Sequence, residues 1–95
     1  MAVKMITYDL NDPGQRYAKL AEAIKALSRN GSWWHYLDST WVVPSNLTCG
    51  QVTDHLKPYL DGNDEILVLD ITNDSYQGLF SEEAWKVFNA IMQAG

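Results

Sequence analysis

An α+β fold built on a four-stranded antiparallel sheet is what these 95 residues predict. Three observations predict it. Four short segments carry the apolar alternation or apolar runs of strands. Three longer stretches repeat apolar residues at helical spacing. Their order along the chain is β-α-β-β-α-β-α, with no repeat, low-complexity tract or linker, so residues 1–95 read as a single domain.

The first strand is residues 2–9, "AVKMITYD". Val3, Met5 and Thr7 face one way and Lys4, Ile6 and Tyr8 the other, which places it centrally in the sheet. A helix follows. Asp12 is suited to cap it, Pro13 to open it, and Gln15 stands three residues after the cap. Tyr17, Leu20, Ala21, Ile24 and Leu27 form its apolar stripe, and Asn30-Gly31 ends it, glycine tolerating a left-handed terminus.

Two strands, 32–37 and 40–44, flank Asp38-Ser39 as a β-hairpin, and Pro44 stops the second. Thr48 caps the next helix, with Gln51 completing a capping box and Leu47 packing on Val52 as a hydrophobic staple. Val52, Leu56, Tyr59 and Leu60 are its buried stripe, and Pro58 limits its last turn. "DGND", 61–64, is a turn, and "EILVLDI", 65–71, is a strand apolar on both faces. Ser81 caps a last helix, with Glu82 and Glu83 near the positive end of its dipole. Phe80 and Trp85 are placed as a second staple, and Ala84, Phe88, Ile91 and Met92 continue the apolar side.

The first six elements follow the ferredoxin-like βαββαβ pattern, with the last helix an addition to it. Right-handed crossovers then favour the strand order 4-1-3-2, with both main helices on one face. The other face is left for the third helix, a second subunit, or both.

Composition narrows the function. The formal net charge is −5 and the seven Lys and Arg residues form no run. Phosphate-gripping proteins present a basic face, so strong general affinity for nucleic acid is disfavoured. No apolar run approaches the ~18 residues of a membrane span. "MAVKMITYDL" has no signal-peptide core, so a cytoplasmic protein is expected. The single cysteine, Cys49, excludes an intrachain disulfide and has no paired base; His35 and His55 lack metal-ligand spacing.

"GSWWHYLDSTWVV", 31–43, holds three of the four tryptophans. Alternation sends Trp33, His35 and Leu37 to one face of the hairpin and Trp34 and Tyr36 to the other; Trp41 and Val43 share a face of the next strand. So much aromatic surface packs on the last helix through Trp85 and Phe88, meets a second subunit, or offers bases a stacking platform. Trp33, Trp34, Tyr36, Trp41 and Trp85 are therefore the candidate binding or interface residues.

Asp9 ends an apolar strand and has no capping role. In the expected topology it shares one end of the sheet with Asp12, Asp38 and Asp64. Clustered carboxylates suit Mg²⁺, but for Asp12, Asp38 and Asp64 turn or cap chemistry is the favoured account.

"MITYDLNDPGQRYAKLAEAIKAL" followed by "SWWHYLDSTWVV" resembles the small bacterial and phage proteins labelled SinR-like, over nearly the whole chain. Through the "YD" strand end and the element order, the chain is also similar to the small CRISPR-adaptation subunit and to virulence-associated protein D. The resemblance implies a ferredoxin-like homodimer. It also implies that the aspartate ending the first strand, here Asp9 with Tyr8 beside it, lies near the dimer axis and serves metal-dependent nucleic-acid cleavage. The chain departs from those relatives in its acidity and in a C-terminal segment that reads as a helix rather than a swapped strand.

The leading expectation is a homodimeric, non-catalytic module that binds a protein or a small nucleotide and needs no cofactor. A phage-borne copy would suit the sequestration of a nucleotide signal of host defence. The rival expectation is a Mg²⁺-dependent nuclease with Asp9 as the catalytic carboxylate, and Asp9, Asp38 and Asp64 as candidate metal ligands.

Overall fold

The computed structural model describes residues 1–11 and 13–94, and side chains at all of these except 13–16 and 94. The elements are β1 (Val3–Asp9), α1 (Pro13–Ala26), β2 (Trp34–Leu37), β3 (Thr40–Pro44), α2 (Cys49–Leu56), a 3₁₀ turn (Lys57–Tyr59), β4 (Glu65–Asp70) and α3 (Glu82–Ala94). The four strands form one antiparallel sheet in the order β2-β3-β1-β4. This is the order expected from the crossovers, read from the other edge.

Register assigns the faces. Ile6 lies across from Trp41 on one side and Val68 on the other, and Lys4 across from Val43 and Asp70. The Ile6 face packs on α1 and α2: Ile6, Tyr8, Trp41 and Val43 join Leu20, Ile24, Val52 and Leu56 in one buried cluster. On the opposite face, Val3, Trp34 and Val42 meet Phe88 and Ile91 of α3. The third helix therefore covers the β2–β3 side of the face that α1 and α2 leave free. Each buried Ile, Leu or Val contributes about 1.5–3 kcal/mol of burial free energy, so two cores hold the sheet from both sides.

Element ends follow local chemistry. α1 closes at Ala26 rather than near Asn30, because Leu27 N–H bonds to Ile24 O at 3.0 Å and Ser28 N–H to Lys25 O at 3.2 Å, tightening the last turn. β2 begins at Trp34 rather than at residue 32. The Asn30 carboxamide oxygen accepts from Ser32 N at 3.0 Å and Ser32 Oγ at 2.7 Å, and Gly31 sits at φ +83°, so a turn consumes those residues. β4 stops at Asp70 because Thr72 takes over the edge: Val3 N–H donates to Thr72 Oγ1 at 2.9 Å, and that hydroxyl donates to Asp70 Oδ1 at 2.6 Å.

The expected caps form where they are described. Thr48 and Gln51 make the reciprocal capping box, and Ser81 Oγ accepts from Ala84 N at 3.2 Å. Pro58 falls in the 3₁₀ turn that ends α2. The cap expected at Asp12 lies outside the described residues, as does the Gln15 side chain.

One expectation about β2 changes. The pairing register with β3 shifts between Trp34↔Val42 and Leu37↔Thr40, three residues against two. This irregularity breaks the alternation after Tyr36, so Leu37 does not follow Trp33 and His35 in simple parity.

Candidate functional site

The tryptophans divide by face. Trp34 is 1% exposed, donates its indole N–H to Ala84 O at 3.0 Å, and lies 5.0 Å from Phe80 and 5.3 Å from Phe88 between ring centroids. Trp41, also 1% exposed, is in the other core and donates to the Tyr8 hydroxyl at 3.0 Å. Both rings are spent on the interior of a single chain. Trp33 keeps 39% of its surface and Tyr36 43%, and Trp85 is half-buried against Phe80 at 4.6 Å. Lys25 Nζ stands 4.6 Å from the centre of the Trp33 ring, a surface cation–π contact.

His35 joins this group from the α1 side. Its ring stacks on Trp41 at 3.9 Å with the planes 6° apart. Nδ1 is 2.9 Å from Thr40 O, which only accepts, so Nδ1 carries the proton. In the neutral ring Nε2 then accepts from Tyr17 O–H at 2.7 Å; the Asp38 carbonyl, 3.0 Å from the same hydroxyl, competes for that one proton. Burial pushes the Tyr8 phenol well above its ordinary range, so it serves as a neutral acceptor for Trp41.

Three of the candidate carboxylates share one end of the sheet. Tyr8 N–H bonds to Ser39 O at 3.1 Å, which brings the Asp38 turn to the end of β1. Asn11 N–H bonds to Asp64 Oδ1 and Asp61 N–H to Asp64 Oδ2, each at 2.7 Å, so the Asp64 carboxylate organises the turn before β4. Among the described residues no three of His, Cys, Asp and Glu are grouped as a single ion requires. Asp12 lies outside them.

The structure instead pairs Asp9 with Glu65. The two are directly opposite in the β1–β4 register, both exposed, and both border a shallow depression of about 400 Å³. Tyr8 is not part of that pair, since its side chain enters the opposite face. The sequence offered Glu65 only as a strand start; the antiparallel register makes it the neighbour of Asp9.

The same face shows a second feature. α3 rests on β2 and β3, while β4 is the far edge of the sheet. Leu67 of β4, across from Thr7, is 57% exposed, and Leu69, across from Met5, is half-buried. "EILVLDI", 65–71, reads as a strand apolar on both faces, and the sequence carries no signal that one of them lies outside α3's reach. No helix of the described residues is long and apolar enough to cross a membrane. Comparison of the chain with protein-family models, curated proteins and solved structures gave no match.

Proposed function

We propose that this chain is a homodimeric, non-catalytic binding module of the ferredoxin-like class, joined to its copy along β4, with a protein or small nucleotide as its partner. The observation that carries the reading is Leu67, an aliphatic side chain 57% exposed on an edge strand. An edge strand presents unpaired backbone donors and acceptors, and β4 carries no Pro, Lys or recorded register shift to blunt it.

A second copy fits this edge by register. A two-fold axis normal to the sheet keeps each face on its own side, so only residues of like parity pair. Centred on Leu67, such pairing sets Leu67 beside its own copy, Ile66 beside Val68 and Glu65 beside Leu69 of the second chain. Apolar side chains then meet across the axis on both faces. The strand order, and the seating of α1 and α2 on one face, support the ferredoxin-like assignment.

Native mass spectrometry of the purified protein tests the reading. The expected species has twice the 10.8 kDa chain mass, and Leu67→Asp reduces it to the folded monomer. A wild-type protein that stays monomeric at micromolar concentration would sink it.

The Asp9–Glu65 pair favours a second reading, the Mg²⁺-dependent nuclease, in which these two carboxylates hold the cation. Cleavage of RNA or DNA that requires Mg²⁺ and is lost in Asp9→Asn is its signature. Cleavage that persists undiminished in that variant excludes it.

A further inference from the structure

A site unconnected with β4 lies on the α1–α2 side. A cleft of about 700 Å³ opens between the C-terminal end of α1, the segment after β3 and the end of α2. This is within the size range of small-molecule sites. Ala23, Ala26 and Leu27 form one wall, with Leu47 and Tyr59 among the other lining residues, and Arg29 is the cation of the lining.

Arg29 is incompletely used. Its backbone N–H bonds to Pro44 O at 3.0 Å, and Nη1 donates to Ala2 O at 2.6 Å. Nη2 is buried and has no acceptor. Among the described residues no carboxylate pairs with it. The nearby end of the α1 dipole favours a cation there, which accounts for the charge in part. It does not supply the missing acceptor, and a buried donor without a partner is destabilising. In a chain of net charge −5, a partly buried arginine without a counter-ion beside an apolar cleft is a specific arrangement.

The neighbouring polar groups are already engaged. Asn46 Oδ1 accepts from Ala2 N at 2.8 Å, and Ser45 O accepts from Lys4 Nζ at 3.2 Å. Among the described residues, Arg29 Nη2 is the buried side-chain polar atom without a partner; His55, also in the lining, is exposed to water.

We propose that this cleft binds a small organic anion. Its apolar body rests against the alanine wall of α1 and the side chains of Leu47 and Tyr59. Its carboxylate, sulfonate or phosphate head meets Arg29, supplies the counter-charge and, after a small side-chain shift, accepts from Nη2. The site belongs to one chain, so it stands whether or not β4 joins two copies.

Two dyes that share a body test it: 8-anilinonaphthalene-1-sulfonate and uncharged N-phenyl-1-naphthylamine. Fluorescence titration is expected to give one anionic dye per chain, bound at least about tenfold tighter than the neutral one. Arg29→Gln abolishes the difference, Ala26→Leu weakens both dyes by filling the wall, and Leu67→Asp changes neither. Amide shifts from ¹⁵N–¹H spectra of the unmutated protein are expected at residues 23–29 and 45–47, which decides the site even if Arg29→Gln fails to fold. Equal affinity for the two dyes, or shifts confined to β4 or α3, overturns the proposal.

Discussion

Trp41 and Tyr8 are joined across the sheet core by a hydrogen bond of 3.0 Å from the indole N–H to the phenolic oxygen. Both residues are buried, on adjacent strands and on the face that α1 and α2 cover. An aromatic core that includes an indole N–H must give that donor a partner, and here another core residue provides it. Tyr8→Phe keeps the ring and removes the acceptor. It is expected to cost about 1–3 kcal/mol, read as a lower urea midpoint. In a double-mutant cycle with Trp41→Phe, the two losses should be less than additive, because each variant breaks the same bond.

Trp33 and Trp34 are neighbours in sequence with opposite fates. Trp34→Ala opens a cavity in the α3 core and removes the indole hydrogen bond to the Ala84 carbonyl. The expected cost is about 3–5 kcal/mol, a large part of the stability of a domain this size. Trp33→Ala removes a ring that is already 39% exposed, its contact with Trp41 at 5.4 Å and one cation–π contact, and should cost less, about 1–2 kcal/mol. Thermal melts of the two variants separate these outcomes. Similar losses from both would contradict the division of the rings between core and surface.

The Asp70 carboxylate is pulled down to a pKa of about 2, first by its hydrogen bonds to the Thr72 hydroxyl and backbone, and then by Lys4 at 3.2 Å. A carboxylate whose pKa is depressed on folding stabilises the fold above its unfolded value of about 3.9, and that stability disappears as the pH falls through the folded value. Urea midpoints of the wild type should therefore decline between pH ~4 and ~2 more steeply than those of Asp70→Asn. Thr72→Val should flatten the profile in the same window, because it removes the largest cause. An unchanged acid slope in both variants would show that other carboxylates govern it.

Much of this was legible in the sequence, because the signals were local. The capping box at Thr48, the staple of Phe80 on Trp85 and the opposite facing of Trp33 and Trp34 each follow from a few adjacent side chains. The features that escaped depend on pairing between distant segments. That β4 is an edge with Leu67 outside α3's cover depends on strand order and on how far α3 reaches. That Glu65 faces Asp9 depends on register. That Arg29 has a donor without an acceptor depends on where Ala2 and Pro44 end up, and neither lies near residue 29 in sequence. The shortened β2 was readable in principle from Ser28, Asn30, Gly31 and Ser32, whose turn chemistry outweighs the strand propensity of Trp33.

Asp9 and Glu65 lie opposite one another on neighbouring strands with their side chains on one face. Like charges in that position destabilise a sheet. Without metal, Asp9→Asn is expected to raise the urea midpoint by an amount equivalent to about 0.5 kcal/mol. A divalent cation held between the two carboxylates would reverse the sign of that relationship. It would raise the melting temperature of the wild type with increasing Mg²⁺ and leave Asp9→Asn unmoved. Melting curves with and without Mg²⁺ at matched ionic strength therefore separate the two functional readings before any cleavage assay. A Mg²⁺-dependent rise in the wild type alone favours the nuclease, since the pair then has a ligand to hold. An absence of response in both proteins leaves the pair as a surface repulsion, and leaves the β4 edge as the feature that accounts for the exposed face.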